Sequence, residues 1–272
     1  ANKVGFIIAL FPSLILYSVL VLREVYICFF LLVAVYGMVD WVKTNKLKSV
    51  IISILGFVGA TYFHGAMFIG GFFFLIVIGI VSFIRFYKLL VNNVLNLKII
   101  LFFSIFCIVV GIYIFGNVHI PYLGTFDNLS DLNQLKIISN NAMSGEASFP
   151  QWLNASSLVE FIFKIPLRVF YFLFSPFPWD ITKANHIIGL FDAFLFICLS
   201  YLIFLNRKLI WKDPVLKIIF FTLICYLLVF SIGVGNFGTG IRHRSKFVIL
   251  FILLAAPSLN KFIISKKNRM FK

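Results

Sequence analysis

The stretch GNFGTGIRHRSKF (235–247) places three Arg or Lys residues, one His and three Gly between two strongly apolar runs. The runs on either side, 215–233 and 247–260, are predicted to be membrane-spanning helices, because about 20 apolar helical residues cross about 30 Å of hydrocarbon. A short polar link between two such helices must lie at the membrane boundary. This stretch therefore predicts a helical membrane protein with a cationic patch at one boundary.

The composition of the whole chain agrees with this interpretation. Hydrophobic residues make up 62% of the 272 residues, charged residues only 12%, and the mean hydropathy is +1.06. The apolar runs are apolar on all sides, whereas strands of a membrane barrel alternate apolar and polar residues. We therefore expect an all-α, polytopic transmembrane helical bundle.

Reading the apolar runs in order predicts eight spans, together with an amphipathic helix on the outer face. Residues 1–116 hold spans 1–5, residues 117–186 form an extracytoplasmic loop, and residues 187–272 hold spans 6–8 and a basic tail. The eight predicted spans are 4–22, 25–42, 49–63, 65–84, 99–116, 187–205, 215–233 and 247–260. The chain begins with Ala1, and we expect it to be the C-terminal part of a longer protein.

The placement of the positive charges predicts the orientation. The formal net charge is +15, but most Lys and Arg residues lie in short loops between apolar runs, which argues against a nucleic-acid partner. The basic loops 43–48, 85–88 and 206–212 and the C-terminal tail are predicted to face the cytoplasm. This gives a multi-pass protein of the bacterial cytoplasmic (inner) membrane, in contact with membrane lipids and with a cytoplasmic C-terminus.

One apolar stretch, 158–178, is predicted not to cross the membrane. It contains Lys164 and Arg168 and is interrupted by three prolines. A charge at the bilayer centre costs about 2.5–3.5 kcal/mol even on lenient insertion scales. We therefore expect an amphipathic or re-entrant helix on the outer face, with its aromatic side in lipid.

The predicted topology gathers the unusual polar residues on the outer face. Arginine and lysine there oppose the usual charge bias, and arginine suits phosphate because its planar fork donates two parallel hydrogen bonds. The candidates for binding a diphosphate are Arg23, Arg168, Arg242, Arg244 and Lys246. The alternative interpretation of the same cations is a set of lipid-headgroup anchors.

Three residues of the same face could act as a general base. They are Glu24, His64 and His243. A His has the ordinary pKa closest to neutrality, and neighbouring arginines favour the neutral form of His243. The sequence leaves all three open.

The sequence contains no motif typical of a metal site or a cofactor site. The cysteines (Cys28, Cys107, Cys198 and Cys225) lie in apolar runs without metal-ligand spacing and are predicted to be small buried hydrophobic residues. Phosphate-binding loops and zinc-hydrolase motifs are absent from the sequence. We expect no metal and no cofactor.

Three stretches resemble one family. PSLILYSVLVLRE (12–24), LFSPFPW (173–179) and GNFGTGIRHRSKF (235–247) are similar to elements of Wzy-type O-antigen or capsular polysaccharide repeat-unit polymerases and related GT-C-like bacterial polysaccharide-assembly membrane proteins. The resemblance covers most of the chain.

The resemblance implies an integral membrane glycosyltransferase that polymerises undecaprenyl diphosphate-linked oligosaccharide repeat units without nucleotide sugar or metal. It implies a diphosphate-binding role for Arg23, Arg168, Arg242 and Arg244. Other polysaccharide-assembly membrane proteins would be further partners. The alternatives are a flippase or exporter of lipid-linked oligosaccharide and a transferase that adds a single sugar.

The predicted topology can be tested by labelling. If 158–178 stays outside, single cysteines at Ser148→Cys and Thr182→Cys should both react with an impermeant thiol reagent added externally. Labelling from opposite sides would show that this stretch crosses the membrane and that the outer-face cluster is divided.

Overall fold

The computed structural model describes residues 2–20, 22–92, 137, 140, 142–143, 147–181, 183 and 186–269. Within these residues the chain is almost entirely helical, apart from short links and an isolated β-bridge between Ser148 and Asn236. The α-helices are α1 (Asn2–Ala9), α2 (Pro12–Val19), α3 (Glu24–Thr44), α4 (Leu47–Phe63), α5 (Phe68–Asn92), α6 (Leu158–Phe174), α7 (His186–Leu205), α8 (Arg207–Lys212), α9 (Pro214–Gly233), α10 (Phe237–Arg244) and α11 (Val248–Arg269).

Four stretches are long and apolar enough to cross a membrane. They are Glu24–Thr44, Gly65–Ile84, His186–Leu205 and Pro214–Gly233, each with 20 or 21 residues. They match the predicted spans 25–42, 65–84, 187–205 and 215–233 closely. The predicted all-helical class is confirmed, and these helices are compatible with a multi-pass membrane protein.

The predicted number of eight spans is not confirmed. Residues 4–22 form two helices instead of one, because Phe11 is extended before Pro12, which begins α2. Predicted span 49–63 lies in α4, a shorter apolar helix of 17 residues, and 247–260 falls in the first part of α11. Predicted span 99–116 lies outside the described residues.

The stretch predicted to be an amphipathic helix forms α6 and ends before Ser175. Its buried face includes Phe161 and Arg168, whereas Ile162 and Phe163 are exposed on the other face. The helix begins at a Ser157 cap, whose side chain accepts a hydrogen bond from the Glu160 backbone N–H. The structure thus has an aromatic, exposed helix face where the sequence predicts contact with lipid.

Helix ends far apart in the sequence meet at one end of the bundle, which we call the cationic end. There the Cys28 thiol near the start of α3 lies 3.8 Å from the carbonyl oxygen of Lys246, and the rings of His64 and Phe230 lie 5.1 Å apart. At the opposite end, Asn206 donates to the Leu254 carbonyl at 2.8 Å. The starts of α3 and α11 and the ends of α4 and α9 therefore surround one polar region.

Helices α3 and α4 pack backbone to backbone through two glycines. A Cβ atom on Gly37 would lie 2.5 Å from the Ser53 nitrogen, and one on Gly56 would overlap the backbone of Ala34. Neither neighbour is a flexible side chain that could move away. The close approach therefore requires glycine at both positions.

Gly37→Ala and Gly56→Ala should each lower the free energy of unfolding, by about 1–3 kcal/mol as is typical of overpacking. The measurement is the thermal midpoint of the purified protein in detergent. Gly79→Ala is the matched control, since nothing lies within 4 Å of a Cβ there. Equal midpoints for all three variants would contradict the close packing.

Candidate functional site

The centre of the cationic end is a carboxylate that holds two arginines. Glu24 begins α3 and its side chain is 1% exposed. Its Oε1 atom lies 2.6 Å from Nε of Arg242 and 3.9 Å from Nε of Arg23. The two arginine side chains remain 37% and 35% exposed. One buried acid thus orients two guanidinium groups that can still reach a ligand.

The second carboxylate oxygen of Glu24 has a different environment. Oε2 is buried and has no hydrogen-bond partner among the described residues. A buried carboxylate oxygen without a partner carries a free-energy cost. The site therefore keeps an acceptor beside the two arginines.

Two histidines and a lysine form a row next to this carboxylate. Lys246 is fully buried, and its Nζ atom lies 2.6 Å from Nδ1 of His243 and 5.2 Å from the centre of the Phe230 ring. The rings of His243 and His64 lie 5.2 Å apart at 77°. We call Lys246, His243 and His64 the basic row.

Burial and like charge both act on the basic row. Burial, strengthened by the cations Lys246, Arg23 and Arg242, lowers the pKa of His64 to about 3 and that of His243 to about 2. Burial also lowers the pKa of Lys246 to about 7, although Glu24 opposes that shift. Both histidines are therefore neutral at pH 7, and Lys246 changes charge near neutrality.

The glycine-rich stretch that carries these residues is a capped helix and not an open loop. Asn236 accepts hydrogen bonds from the backbone N–H groups of Gly238 and Thr239 at the start of α10. These two N–H groups are therefore already satisfied within the protein. The chain before α10 is fixed by Gly235, whose carbonyl accepts from Phe149 N–H at 2.7 Å.

Gly235 is required by its neighbours. A Cβ atom there would lie 2.6 Å from the backbone nitrogen of Met143. Residues 235–237 also pair with the segment 147–149 through backbone hydrogen bonds. That pairing sets where α10 begins.

Arg244 lies in the protein interior. Its side chain is 0% exposed and pairs with Asp192 of α7 at 2.8 Å. It also donates to the carbonyl oxygens of Leu173 at 2.8 Å and Ser175 at 2.5 Å. The guanidinium thus joins α6, α7 and α10.

Arg168 is also fully buried, but the partners that the structure describes are backbone carbonyl oxygens and not a carboxylate. It donates to the carbonyl oxygens of Ser231, Ile232 and Val234 at 3.1–3.2 Å. These carbonyls belong to the end of α9, where a cation is favoured by the helix dipole and by otherwise unpaired acceptors. Arg168 therefore fastens α6 to the end of α9.

The structure separates the five predicted diphosphate-binding cations into two groups. Arg23 and Arg242 keep 35% and 37% of their side-chain surface exposed, whereas Arg168, Arg244 and Lys246 are fully buried against protein partners. The candidate bases Glu24, His64 and His243 lie with the first group. Arg168, Arg244 and Lys246 were predicted to bind the diphosphate, but in the structure they contact buried protein groups instead.

The sequence interpretation missed the role of Asp192. An acid in an apolar helix needs a cation partner, which is a signal available from the sequence. It also missed that His243 and Lys246 are three residues apart across a helical turn, a spacing that brings side chains together. Among the described residues, no group of three or more His, Cys, Asp or Glu side chains could hold a metal ion.

No protein-family model, no curated protein and no solved structure matches the chain. Its function is therefore inferred from the residues of the site.

Asp192→Asn should destabilise the protein strongly, because it leaves the buried charge of Arg244 uncompensated. Breaking a buried pair from one side costs about 3–5 kcal/mol. The thermal midpoint in detergent measures the effect. Glu160→Gln, at the partly exposed Glu160–Lys164 pair, should leave the midpoint nearly unchanged, and equal behaviour of the two variants would contradict the structural role of Arg244.

Proposed function

We propose that the chain is an integral membrane glycosyltransferase that polymerises undecaprenyl diphosphate-linked oligosaccharide repeat units, with Arg23 and Arg242 binding the diphosphate. The observation that carries the proposal is the geometry around Glu24. Two half-exposed arginines from distant parts of the sequence share one buried carboxylate at an end of apolar helices.

The charge and depth of this end suit a lipid diphosphate. A membrane-bound lipid diphosphate holds its phosphates at the boundary where apolar helices end, and its polyprenyl tail lies among those helices. Arginine keeps its charge when partly desolvated and pairs with phosphate through its planar fork. Because Glu24 binds the Nε atom of Arg242, it fixes the side chain while other N–H groups stay available.

The reaction follows from the leaving group. A hydroxyl oxygen of one lipid-linked unit attacks the anomeric carbon of another, and a new glycosidic bond forms as the bond from that carbon to the phosphate oxygen breaks. Undecaprenyl diphosphate departs with the electron pair, and its developing charge is stabilised by Arg23 and Arg242. A neighbouring base receives the hydroxyl proton.

The site narrows the choice of base. Glu24 orients the arginines and its carboxylate is buried, so we assign it a positioning role. His64 and His243 are neutral at pH 7 because burial lowers the pKa of each. Each imidazole is therefore neutral and has one unprotonated ring nitrogen, but a pKa this low makes it a weak base on its own.

Arg242→Lys should weaken binding of undecaprenyl diphosphate about tenfold or more, because a charge-assisted hydrogen bond contributes about 1.5–3 kcal/mol. Binding of undecaprenyl monophosphate should change less, since it lacks the second phosphate. The measurement is the affinity for both lipids in nanodiscs at matched ionic strength.

Arg207→Lys is the control, because Arg207 lies at the start of α8, at the opposite end of the bundle. It should leave both affinities unchanged. Equal losses for the two lipids in Arg242→Lys would identify the arginine as a general headgroup anchor and contradict the proposed site.

A further inference from the structure

Lys246 is the most deeply buried member of the basic row, and the proposed reaction gives it no role. Lys246 is fully buried, so it cannot touch a substrate that binds at the exposed surface of Arg23 and Arg242. Its Nζ atom lies 2.6 Å from Nδ1 of His243, and His243 is itself only half-buried. A proton that moves between Lys246 and a ligand would therefore pass through His243.

The contact between these two nitrogens must contain a proton. When Lys246 is an ammonium, it donates to Nδ1, so a neutral His243 carries its proton on Nε2. When Lys246 is a neutral amine, Nδ1–H can donate to Nζ, and Nε2 then presents a lone pair. The charge of the buried lysine thus sets whether Nε2 donates or accepts.

We propose that Lys246 is the final proton acceptor of a relay through His243. The proposal rests on the proposed glycosyl transfer. His243 Nε2 takes the proton of the attacking hydroxyl while the Nδ1 proton moves to Lys246 Nζ. The oxygen gains its bond to the anomeric carbon, His243 ends neutral with its proton on Nε2, and Lys246 ends as an ammonium.

The surroundings of Lys246 support a charge change near neutrality. The groups that face it are Arg23 just before α3, Glu24 and Cys28 from α3, and Arg242 and His243 from α10, with His64 beyond His243. Burial and the two arginines disfavour the ammonium, Glu24 favours it, and the pKa of Lys246 falls to about 7. His243 alone, with a pKa lowered to about 2, would hold the proton poorly. Transfer to Lys246, whose pKa is higher, moves the proton to a stronger base.

The first test needs no activity. Nitrogen-15 NMR of histidine-labelled protein in detergent, with the four histidines assigned by single substitution, reports which ring nitrogen of His243 carries the proton. We expect the Nδ1–H form of His243 to gain population as the pH rises through about 7. Lys246→Met should abolish this change, and a wild-type His243 that stays in one form from pH 6 to 8 would overturn the relay.

The second test separates a relay from a packing role. Lys246→Arg keeps a long cationic side chain but cannot give up its charge, so a merely structural lysine should be rescued by it. The relay predicts a loss of turnover of about 100-fold or more, with diphosphate binding retained. It also predicts that wild-type turnover rises with pH through about 7, because Lys246 must be neutral before it accepts the proton.

The two proposals fail differently. Full turnover in Lys246→Arg would overturn the relay and leave the glycosyltransferase intact. A protein whose His243 changes tautomer with pH as expected, but which never joins repeat units, would contradict the proposed function and with it the reaction that the relay serves.

Discussion

The ion pair between Glu24 and Arg242 connects the start of α3 with α10 across more than two hundred residues of sequence. A carboxylate with a 1% exposed side chain is tolerated in an apolar bundle only with a cation partner, because an unpaired buried charge is costly. The pair lies at the end of the bundle where His64 after α4, Phe230 of α9 and Phe247 before α11 are in ring contact. The half-exposed arginines and the basic row then have fixed positions around it.

The other cations of this end show how the site is held. Arg244 forms an ion pair with Asp192, and Arg168 donates hydrogen bonds to carbonyl oxygens at the end of α9. Lys246 contacts the imidazole of His243 and the ring of Phe230. Arg244 thus ties α10 to α7, Arg168 ties α6 to the end of α9, and Lys246, just before α11, contacts both α10 and α9. A site fixed from several directions can stabilise developing charge without reorganising during reaction.

Hydropathy alone predicted α3, α7 and α9 to within two residues at either end, because about 20 apolar residues admit few alternatives to a helix. The same signal failed over 4–22, where Pro12 interrupts a run that is apolar throughout. Alternation of the spans also indicated that Glu24, His64 and His243 share one end, and the structure brings them together.

The direction of individual side chains was not predictable in the same way. Arg242 and Arg244 are two residues apart on α10, so a helical step of about 100° per residue points them to nearly opposite sides. One meets Glu24 and the other meets Asp192. The sequence treats both as members of one cationic cluster, and only the packing of α7 against α10 assigns them different roles.

The proposed function requires the cationic end to join lipid-linked repeat units. The most direct measurement supplies the purified protein in liposomes with undecaprenyl diphosphate-linked repeat units alone and resolves the glycans by length. Glycosyl transfer at this site predicts a ladder of products spaced by one repeat unit, with undecaprenyl diphosphate released for each bond formed. Repeat units that cross to the opposite leaflet but keep their original length would contradict it and identify a flippase.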